Sequence, residues 1–374
     1  MGKFESLQKI IQYRFRNIDI LRGLIMILMA KGHCYSTIYQ THFTESYDGD
    51  LPNYGSMAVF LTRWVGNICA PGFALLMGMS ISIFTANKIK IIENQSITTQ
   101  LFKRGVLLII LQQVLNVPSL FFDMNNLDNI LVFRGGTLYA LGFSMIIGAL
   151  LIKVSKQRLL LLGCGVVLTN YFISSYFLVH PNDNPFVHLL FTPGVNQWMS
   201  VNYPAFPWLG VSIIGMGMGG YLMEDKNRFI NNTWKIGTTL LLLFVLLRAL
   251  SWGDYNHIAD MNSIINYFTI IKYPPSIAFI MFTLGMLSLL FWLISKFESY
   301  SILNPLIVFG KVPLFFYFAH YYLYIVISKF TNHAISLSAI YILWVVGLIL
   351  LYPVCKYYGQ FKKQQSENSF WRLL

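Results

Sequence analysis

Ten long apolar segments, spread along the whole chain, constrain its fold more than any other feature of the sequence. A helix that crosses the hydrocarbon core of a bilayer needs about 20 mostly apolar residues. Most of the ten segments in this 374-residue chain are too long and too apolar for core helices of a water-soluble domain. They lie at residues 19–40, 57–84, 103–121, 136–153, 158–178, 204–223, 235–252, 273–295, 308–329 and 335–357.

The composition excludes the other broad classes of protein. Apolar residues make up 56% of the chain and charged residues only 11%, whereas an ordinary soluble domain carries about a quarter charged residues. A compact chain this poor in charge would expose large apolar patches to water. With 30 Phe, 22 Tyr and 8 Trp residues the chain is far too apolar to be disordered. The four cysteines are scattered without motif spacing, which excludes a disulfide scaffold.

The charges between the apolar segments predict the orientation of the chain. Most of the 27 Lys and Arg residues fall in the terminal segments and in alternate loops, whereas the other loops hold eight of the 15 acidic residues. Basic residues concentrate in the cytoplasmic loops of membrane proteins. We therefore attribute the net charge of +12 to topology rather than to nucleic-acid binding. This alternation predicts ten spans with both termini in the cytoplasm.

These patterns predict an all-α, polytopic membrane protein whose roughly ten transmembrane helices form one bundle. Residues 1–17 place apolar side chains at helical spacing among basic ones, which predicts an amphipathic helix at the membrane surface. The transmembrane domain is expected at residues 18–358. Residues 359–374 are expected to form a cytoplasmic tail.

Ionisable residues inside a span are costly and usually face a cavity or a partner. In the first span Arg22 and His33 are separated by three helical turns plus about 20°, so both lie on one stripe, about 16 Å apart along the axis. Asp19 lies three residues before Arg22 and can pair with it. Lys31 lies on the opposite side, where we expect it to extend to the interface or to pair with another helix. The alternative interpretations are a topological Asp–Arg anchor and a hydrogen-bonded interior histidine.

Two further spans carry polar residues that favour a site inside the bundle. In the second span Arg63 and Asn67 lie one turn apart, and Pro71 with Gly72 interrupts the helix in mid-membrane. In the ninth span His320 is expected near mid-membrane, with tyrosines on neighbouring positions. We interpret His320 as a second candidate site residue that binds substrate. A packing kink and a satisfied interior histidine are the alternatives.

The loops predicted outside the cell are rich in His, Asn, Asp and aromatic residues, a composition that suits a polar, hydroxylated ligand. Asp254 and His257 are candidate substrate-binding residues there, and Arg248 is expected to pair with Asp254. No metal-ligand spacing occurs on any span. The glycine-rich run at 215–220 has no preceding strand and predicts close helix packing rather than phosphate binding.

Seven short motifs in or beside the apolar segments, taken in order, resemble a known family. They extend from about residue 16 to 325 and read DILRG, LMAKGH, RWVGNICAPGFALLMG, FKRGVLLIIL, YPAFPWLGVSIIGMGMG, KYPPSIAFIMFTLG and FGKVPLFFYFAH. Their order is similar to that in bacterial relatives of heparan-α-glucosaminide N-acetyltransferase. That family lies in a transmembrane acyltransferase superfamily with the glycan O-acyltransferases of acyltransferase family three. The latter share an arginine and a histidine separated by ten residues in the first span, and Arg22 and His33 match this signature.

The resemblance implies an integral membrane enzyme, expected in the bacterial inner membrane, that transfers acetyl from cytosolic acetyl-CoA to an amine or hydroxyl of a glycan outside. His33 would then be the general base or the acetylated nucleophile, because imidazole exchanges protons near neutral pH. Arg22 and Asp19 would organise the inner channel. The expected donor-binding cations and oxyanion donors are Lys103, Arg104, Lys311, Arg63, Asn67 and Tyr139.

Some alternatives stay open at the level of sequence. In the lysosomal enzyme of this family the proposed catalytic histidine lies beyond the first span and an asparagine occupies the place of His33, so His42 is a second candidate catalyst. Interior His, Arg and Asn residues also suit a proton-coupled transporter of a polar small molecule. Self-association into a homodimer is compatible with such a bundle.

Overall fold

The structure, a computed structural model, describes residues 14–39, 54–88, 94–115, 132–255, 257, 260, 263–331, 336–366 and 369–373. Helices dominate these ranges, which confirms the all-α prediction. The first 13 residues of the predicted surface helix, and His42, lie outside the described residues.

Each of the ten predicted spans coincides in position with a helix or with a pair of consecutive helices. The helices are α1 (Arg16–Tyr39), α2 (Met57–Trp64), α3 (Cys69–Lys88), α4 (Asn94–Leu115), α5 (Thr137–Leu150), α6 (Lys156–Val179), α7 (Pro185–Leu190), α8 (Ala205–Glu224), α9 (Lys226–Ala249), α10 (Ile264–Phe268), α11 (Ile277–Phe297), α12 (Asn304–Lys311), α13 (Pro313–Lys329), α14 (Leu337–Gln364) and α15 (Phe370–Leu373). A 3₁₀ turn at Val65–Ile68 joins α2 to α3.

Six helical segments of the described chain are long and apolar enough to cross a membrane: the continuous α2–α3 segment, α6, α8, α9, α11 and α14. The pair formed by α12 and α13 would be a seventh, although the two helices are bent by 87° where they meet. Helix α5 is apolar but short, and α1 and α4 fall below this apolarity. The chain is thus an α-helical membrane protein, whereas ten crossings and cytoplasmic termini stay predictions.

Helix α1 is less apolar than its neighbours because it lies inside the bundle. It packs against α3, α11, α12, α13 and α14. Residues on several of its faces, including Ile20, Ile25 and Cys34, have no exposed surface. A helix enclosed by protein can carry ionisable side chains, since other helices rather than lipid surround them.

Glycines set the closest helix crossings. A β-carbon on Gly215 of α8 would overlap the backbone carbonyl of Leu75 on α3, and one on Gly78 would overlap that of Ser212. The close packing predicted for residues 215–220 is therefore confirmed. The crossing of α1 with α12 uses the same principle, because a β-carbon on Gly310 would meet the backbone of Asp19.

Local sequence fixes where several helices begin. The side chain of Asp225 accepts a hydrogen bond from the backbone N–H of Arg228 at 2.9 Å and starts α9 directly after α8. Ser276 accepts in the same way from Phe279 at 3.0 Å and starts α11. Such N-caps satisfy backbone donors that the first turn of a helix leaves unpaired. Pro313 stands at the first position of α13, where it needs no N–H partner.

A three-stranded sheet is a local departure from the predicted all-helical fold. It consists of β1 (Phe133–Gly135), β2 (Gly194–Asn196) and β3 (Met199–Val201) in the order β1-β3-β2. Strand β1 runs parallel to β3, and β2 runs antiparallel to it. Strands of three residues are too short to show an alternating pattern, so the sequence carried no signal for them.

The sheet places the segment before α8 beside the start of α5. The backbone N–H groups of Asn202 and Tyr203 both donate to the carbonyl of Gly135, at 3.1 and 2.9 Å. Tyr203 is thereby brought close to Thr137, the first residue of α5.

The predicted domain boundaries fall inside helices. Helix α1 begins at Arg16, two residues before the predicted start of the membrane domain, and α14 continues to Gln364. The tail then returns toward α14, since the hydroxyl of Tyr358 donates to the carbonyl of Trp371 at 2.8 Å.

Candidate active site

A pair of histidines from α1 and α13 lies at the centre of the candidate site. The Nδ1 atom of His33 is 2.8 Å from Nε2 of His320. Their ring planes differ by only 8°, with centroids 5.0 Å apart, as expected for rings joined by an N–H···N bond near their common plane. The rings of Tyr317 and Tyr321 contact His33 edge-on. His320 has no exposed surface, whereas His33 is partly exposed.

The backbone of α13 fixes which nitrogen of each neutral ring carries the proton. The Nδ1 atom of His320 is 2.7 Å from the carbonyl oxygen of Phe316, which can only accept, so this nitrogen donates. The Nε2 atom of a neutral His320 is then an acceptor. Nδ1 of His33 must therefore donate to it, which leaves the lone pair of His33 on Nε2. The chain Phe316–His320–His33 thus presents a basic nitrogen of defined orientation.

His33 lines a cavity of about 80 Å³ between α1, the α2–α3 segment, α5 and the loop before α11. Arg63 and Asn67 line the same cavity, as their one-turn spacing predicts. No Asp or Glu occurs among the described residues of its walls, so the charged side chains there are cations. Such a cavity favours a ligand atom that develops negative charge.

The predicted interruption of the second span at Pro71 and Gly72 is wrong. Both residues lie in the first turn of α3, and the irregular 3₁₀ turn at Val65–Ile68 precedes them. The turn lies there because the missing N–H of Pro71 removes a hydrogen bond to it.

The polar wall residues Thr137, Tyr203 and Lys272 of the His33 cavity were not among the site residues predicted from the sequence. Lys272, in the loop before α11, is 7% exposed, and its ammonium lies 5.0 Å from the ring centre of Tyr273. The hydroxyls of Tyr203 and Tyr273 are 3.0 Å apart. The signal was present in the KYPPS segment, which contributed to the family resemblance but was assigned no role.

Arg22 lines a second cavity, of about 150 Å³, with mostly apolar walls. Phe73, Thr137 and Tyr317 belong to the walls of both cavities, so the two adjoin each other. Arg22 and His33 therefore face adjoining spaces inside the protein, as their common stripe on α1 predicts.

Hydrogen bonds hold the Arg22 guanidinium in the wall of this second cavity. It donates to the carboxylate of Asp19 at 3.2 Å, to the carbonyl of Gly310 at 3.2 Å and to the hydroxyl of Ser80 at 2.8 Å. The predicted ion pair of Asp19 with Arg22 is confirmed. Arg14 also contacts Asp19, at 3.0 Å. Arg22 thus ties α1 to α3 and to the end of α12.

The expected donor-binding residues do not all come together. The hydroxyl of Tyr139 donates to the carbonyl of Leu189 at 3.2 Å, and Tyr139 lines neither cavity. Lys103 is exposed and Arg104 lies over the ring of Phe84, both also away from these walls. Lys311 lines a third cavity.

Asp254 and His257 form a buried cluster with Arg248 instead of facing either cavity. Asp254 lies 3.1 Å from Arg248, as predicted, and 2.8 Å from the Nδ1 atom of His257. Arg248 also donates to the carbonyls of Tyr267 and Asn266, at 2.9 and 3.1 Å. These contacts stabilise the conformation of the loop between α9 and α11. Substrate binding by Asp254 and His257 stays a prediction. The described ranges contain no group of three or more His, Cys, Asp or Glu residues that could hold a metal.

Apolar helices that surround a histidine pair and a cationic cavity define the class of this protein: a polytopic α-helical membrane protein with an internal polar site. The family model described as heparan-alpha-glucosaminide N-acetyltransferase, catalytic, matches residues 14–251. The chain belongs to this family, which confirms the resemblance of its sequence motifs, and the family implies a membrane acetyltransferase. The match includes Arg22, His33, Arg63 and Asn67 and ends before His320. No curated protein matches the chain.

Proposed function

We propose that this protein transfers an acetyl group from acetyl-CoA, bound from the cytoplasm, to an amine or hydroxyl of a saccharide on the other side of the membrane. The observation that carries the proposal is the hydrogen-bonded chain Phe316–His320–His33, which leaves the Nε2 lone pair free on a histidine that lines the cationic cavity. The family description supports acetyl transfer, and its name supplies an α-glucosaminide as the first acceptor to test.

In direct transfer, Nε2 of His33 takes the proton of the attacking N–H or O–H while the acceptor atom bonds to the thioester carbonyl carbon. The resulting oxyanion collapses, the C–S bond breaks, and the departing CoA thiolate receives the proton from the His33 imidazolium. In the ping-pong alternative Nε2 itself attacks the thioester carbonyl carbon, the C–S bond breaks and CoA leaves as the thiolate. The acceptor atom then attacks the acetyl group on His33, the C–N bond breaks, and Nε2 takes the acceptor proton and passes it to the CoA thiolate. Both routes need the same free lone pair, which the tautomer fixed by His320 supplies.

The cations of the cavity stabilise the oxyanion. Arg63, Lys272 and Asn67 line the same cavity as His33. Donors that are already oriented in a low-dielectric site stabilise developing charge more than the same groups do in water. Lys272 thereby gains a catalytic role that its loop position in the sequence did not indicate.

The second cavity suits the arm of the donor. Its walls are mostly apolar, and Arg22 is the charged residue among those that the structure describes. The wall that it shares with the first cavity includes Tyr317, whose ring contacts His33. A thioester on a flexible arm that enters at the Arg22 end would reach the histidine with its carbonyl carbon. Because the basic loops predict a cytoplasmic location for the Arg22 end, the acceptor approaches His33 from outside.

The experiment uses the full chain in lipid nanodiscs with radiolabelled acetyl-CoA and methyl α-glucosaminide as the probe acceptor. We expect labelled sugar and free CoA from the wild type, and loss of both products from His33→Ala. His180→Ala is the matched control, because His180 is exposed at the end of α6, away from both cavities. Full transfer by His33→Ala would remove His33 from the mechanism.

The buried histidine pair also favours the alternative of a proton-coupled transporter, since such pairs occur in proton relays. Proteoliposomes separate the two functions. Uptake of a labelled sugar that depends on a proton gradient but not on acetyl-CoA would support the transporter and contradict the enzyme.

A further inference from the structure

A third cavity, of about 340 Å³, lies where the start of α1, the junction of α12 with α13 and the end of α14 meet. The described residues of its walls include five cations and no Asp or Glu. The cations are Arg14, Lys311, Lys356, Lys362 and Lys363. They come from three distant stretches of the sequence, so the fold, rather than a single basic run, concentrates this charge.

The position of this basic cavity indicates an amphiphilic ligand. On α14 the cavity residues Lys363 and Lys356 are followed, at intervals of seven residues, by Ile349 and Ile342, so all four lie close to one stripe of the helix. Ile349 is 65% exposed and Ile342 is 63% exposed. Most of the apolar part of α14 is exposed rather than packed against protein. A ligand with a phosphate in the cavity and acyl chains along these residues would satisfy both surfaces.

We propose that the basic cavity binds the phosphate headgroup of an anionic membrane lipid. Basic pockets at the cytoplasmic ends of membrane helices attract such headgroups. Among the described residues the cavity shares no wall residue with either cavity of the candidate active site.

The bound lipid is coupled to the active site through Arg14. Arg14 lines the basic cavity and contacts Asp19 at 3.0 Å, and Asp19 contacts Arg22 at 3.2 Å. A phosphate that draws Arg14 into the cavity leaves the Asp19 carboxylate to Arg22 alone. Lys311 directly follows Gly310, whose carbonyl accepts from Arg22. Lipid binding therefore holds Arg22 more firmly in the wall of the second cavity and increases the rate of acetyl transfer. This effect on the rate rests on the proposed function.

The test measures binding before activity. The full chain is placed in detergent micelles with phosphatidylcholine, and phosphatidylglycerol is titrated while lipid retention is followed by native mass spectrometry. The variant Lys356→Gln with Lys363→Gln removes two exposed cations of the cavity. We expect its affinity for phosphatidylglycerol to fall about 30-fold, since each basic residue near an anionic lipid contributes roughly a five-fold increase in affinity and the variant removes two of them.

Lys153→Gln with Arg158→Gln is the matched control, because it removes two exposed cations elsewhere on the same predicted side. It should retain the wild-type affinity. Equal losses in both double variants would overturn the proposal by reducing it to general surface charge. Displacement of the lipid by adenosine 3′,5′-bisphosphate would overturn it in favour of a nucleotide site. The single variant Lys363→Gln, with a smaller expected loss, serves if the double variant does not fold.

The activity arm then compares acetyl transfer in nanodiscs with and without phosphatidylglycerol. Stimulation of the wild type and of the control, but not of Lys356→Gln with Lys363→Gln, supports the coupling through Arg14. Lipid binding without any change in transfer would overturn the coupling and leave the binding site intact. Absence of transfer in every sample, with selective lipid binding retained, would contradict the proposed function alone.

Discussion

Replacing His320 should impair catalysis without impairing binding of the acetyl donor. His320 has no exposed surface and lines neither cavity of the site, so it acts on the reaction only through His33. Its Nε2 atom accepts the Nδ1 proton of His33 over 2.8 Å. His320→Phe keeps an aromatic ring in the space but provides no acceptor. The lone pair of His33 is then no longer confined to Nε2.

The structure sets the expected size of this effect. A net hydrogen bond contributes about 1 kcal/mol, so a lost tautomer preference alone lowers the rate roughly five-fold. Loss of ring orientation adds to this, because the partners that orient a functional histidine typically contribute about 10- to 100-fold. We therefore expect kcat of His320→Phe to fall by about 10- to 100-fold with little change in KM for acetyl-CoA.

His320→Gln is the informative comparison. Its side-chain carbonyl can accept from His33, and its amide can donate to the carbonyl of Phe316, so it should recover part of the lost rate. The assay measures CoA release with methyl α-glucosaminide as acceptor, and a thermal melt of each variant checks the fold. Wild-type kcat in a folded His320→Phe variant, or no difference between the two variants, would refute the relay.

Three further predictions test the cavity, the helix crossing and the buried ion pair. Lys272→Met should lower kcat of transfer about 10- to 100-fold, because a cation near the oxyanion is lost, and a steady-state assay with unchanged kcat would contradict this role. Gly310→Ala should destabilise the fold by about 1–3 kcal/mol, because the added β-carbon overlaps the backbone of α1. In the same thermal melt the control Gly165→Ala, whose β-carbon meets open space, should unfold at or above the wild-type temperature. Arg248→Ala leaves Asp254 buried without its partner and should cost about 3–5 kcal/mol, so an unchanged melting temperature would argue against the pair.

The geometry of a single helix could be predicted well from the sequence. Arg22 and His33 are three turns apart on α1, and both line adjoining interior cavities. The pairing of Asp19 with Arg22 and that of Arg248 with Asp254 also follow from spacing along the chain, and the structure contains both. Each of these inferences depends on residues that are close in sequence.

Contacts between distant segments could not be predicted in the same way. The partner of His33 is 287 positions away, and nothing in the spacing of α13 indicates which helix His320 faces. Of the two positions expected for Lys31, the interface is wrong, since Lys31 is only 5% exposed within the helices that enclose α1, whereas pairing with another helix stays a prediction. Tyr139 and Lys103 were chosen for their chemistry, but packing determines which side of a helix meets the cavity.

The membrane topology shows a similar limit. Apolar length identifies α11 and α14 easily, whereas α1 is less apolar than a lipid-facing helix and α12 bends sharply into α13. Hydropathy depends on an uninterrupted apolar length, so the ionisable residues of α1 and the bend between α12 and α13 weaken the signal in the two elements that carry the histidines of the site.

In the proposed reaction, the shared wall of Phe73, Thr137 and Tyr317 between the two inner cavities would have a bioenergetic consequence. With donor and acceptor on opposite sides of it, only the two-carbon fragment needs to pass, and neither the nucleotide nor the sugar has to be exchanged across the barrier. The protein would therefore remain electrically insulating throughout a turnover. A cell could then modify its exterior with an activated metabolite that never leaves the interior, and without dissipating its ion gradients.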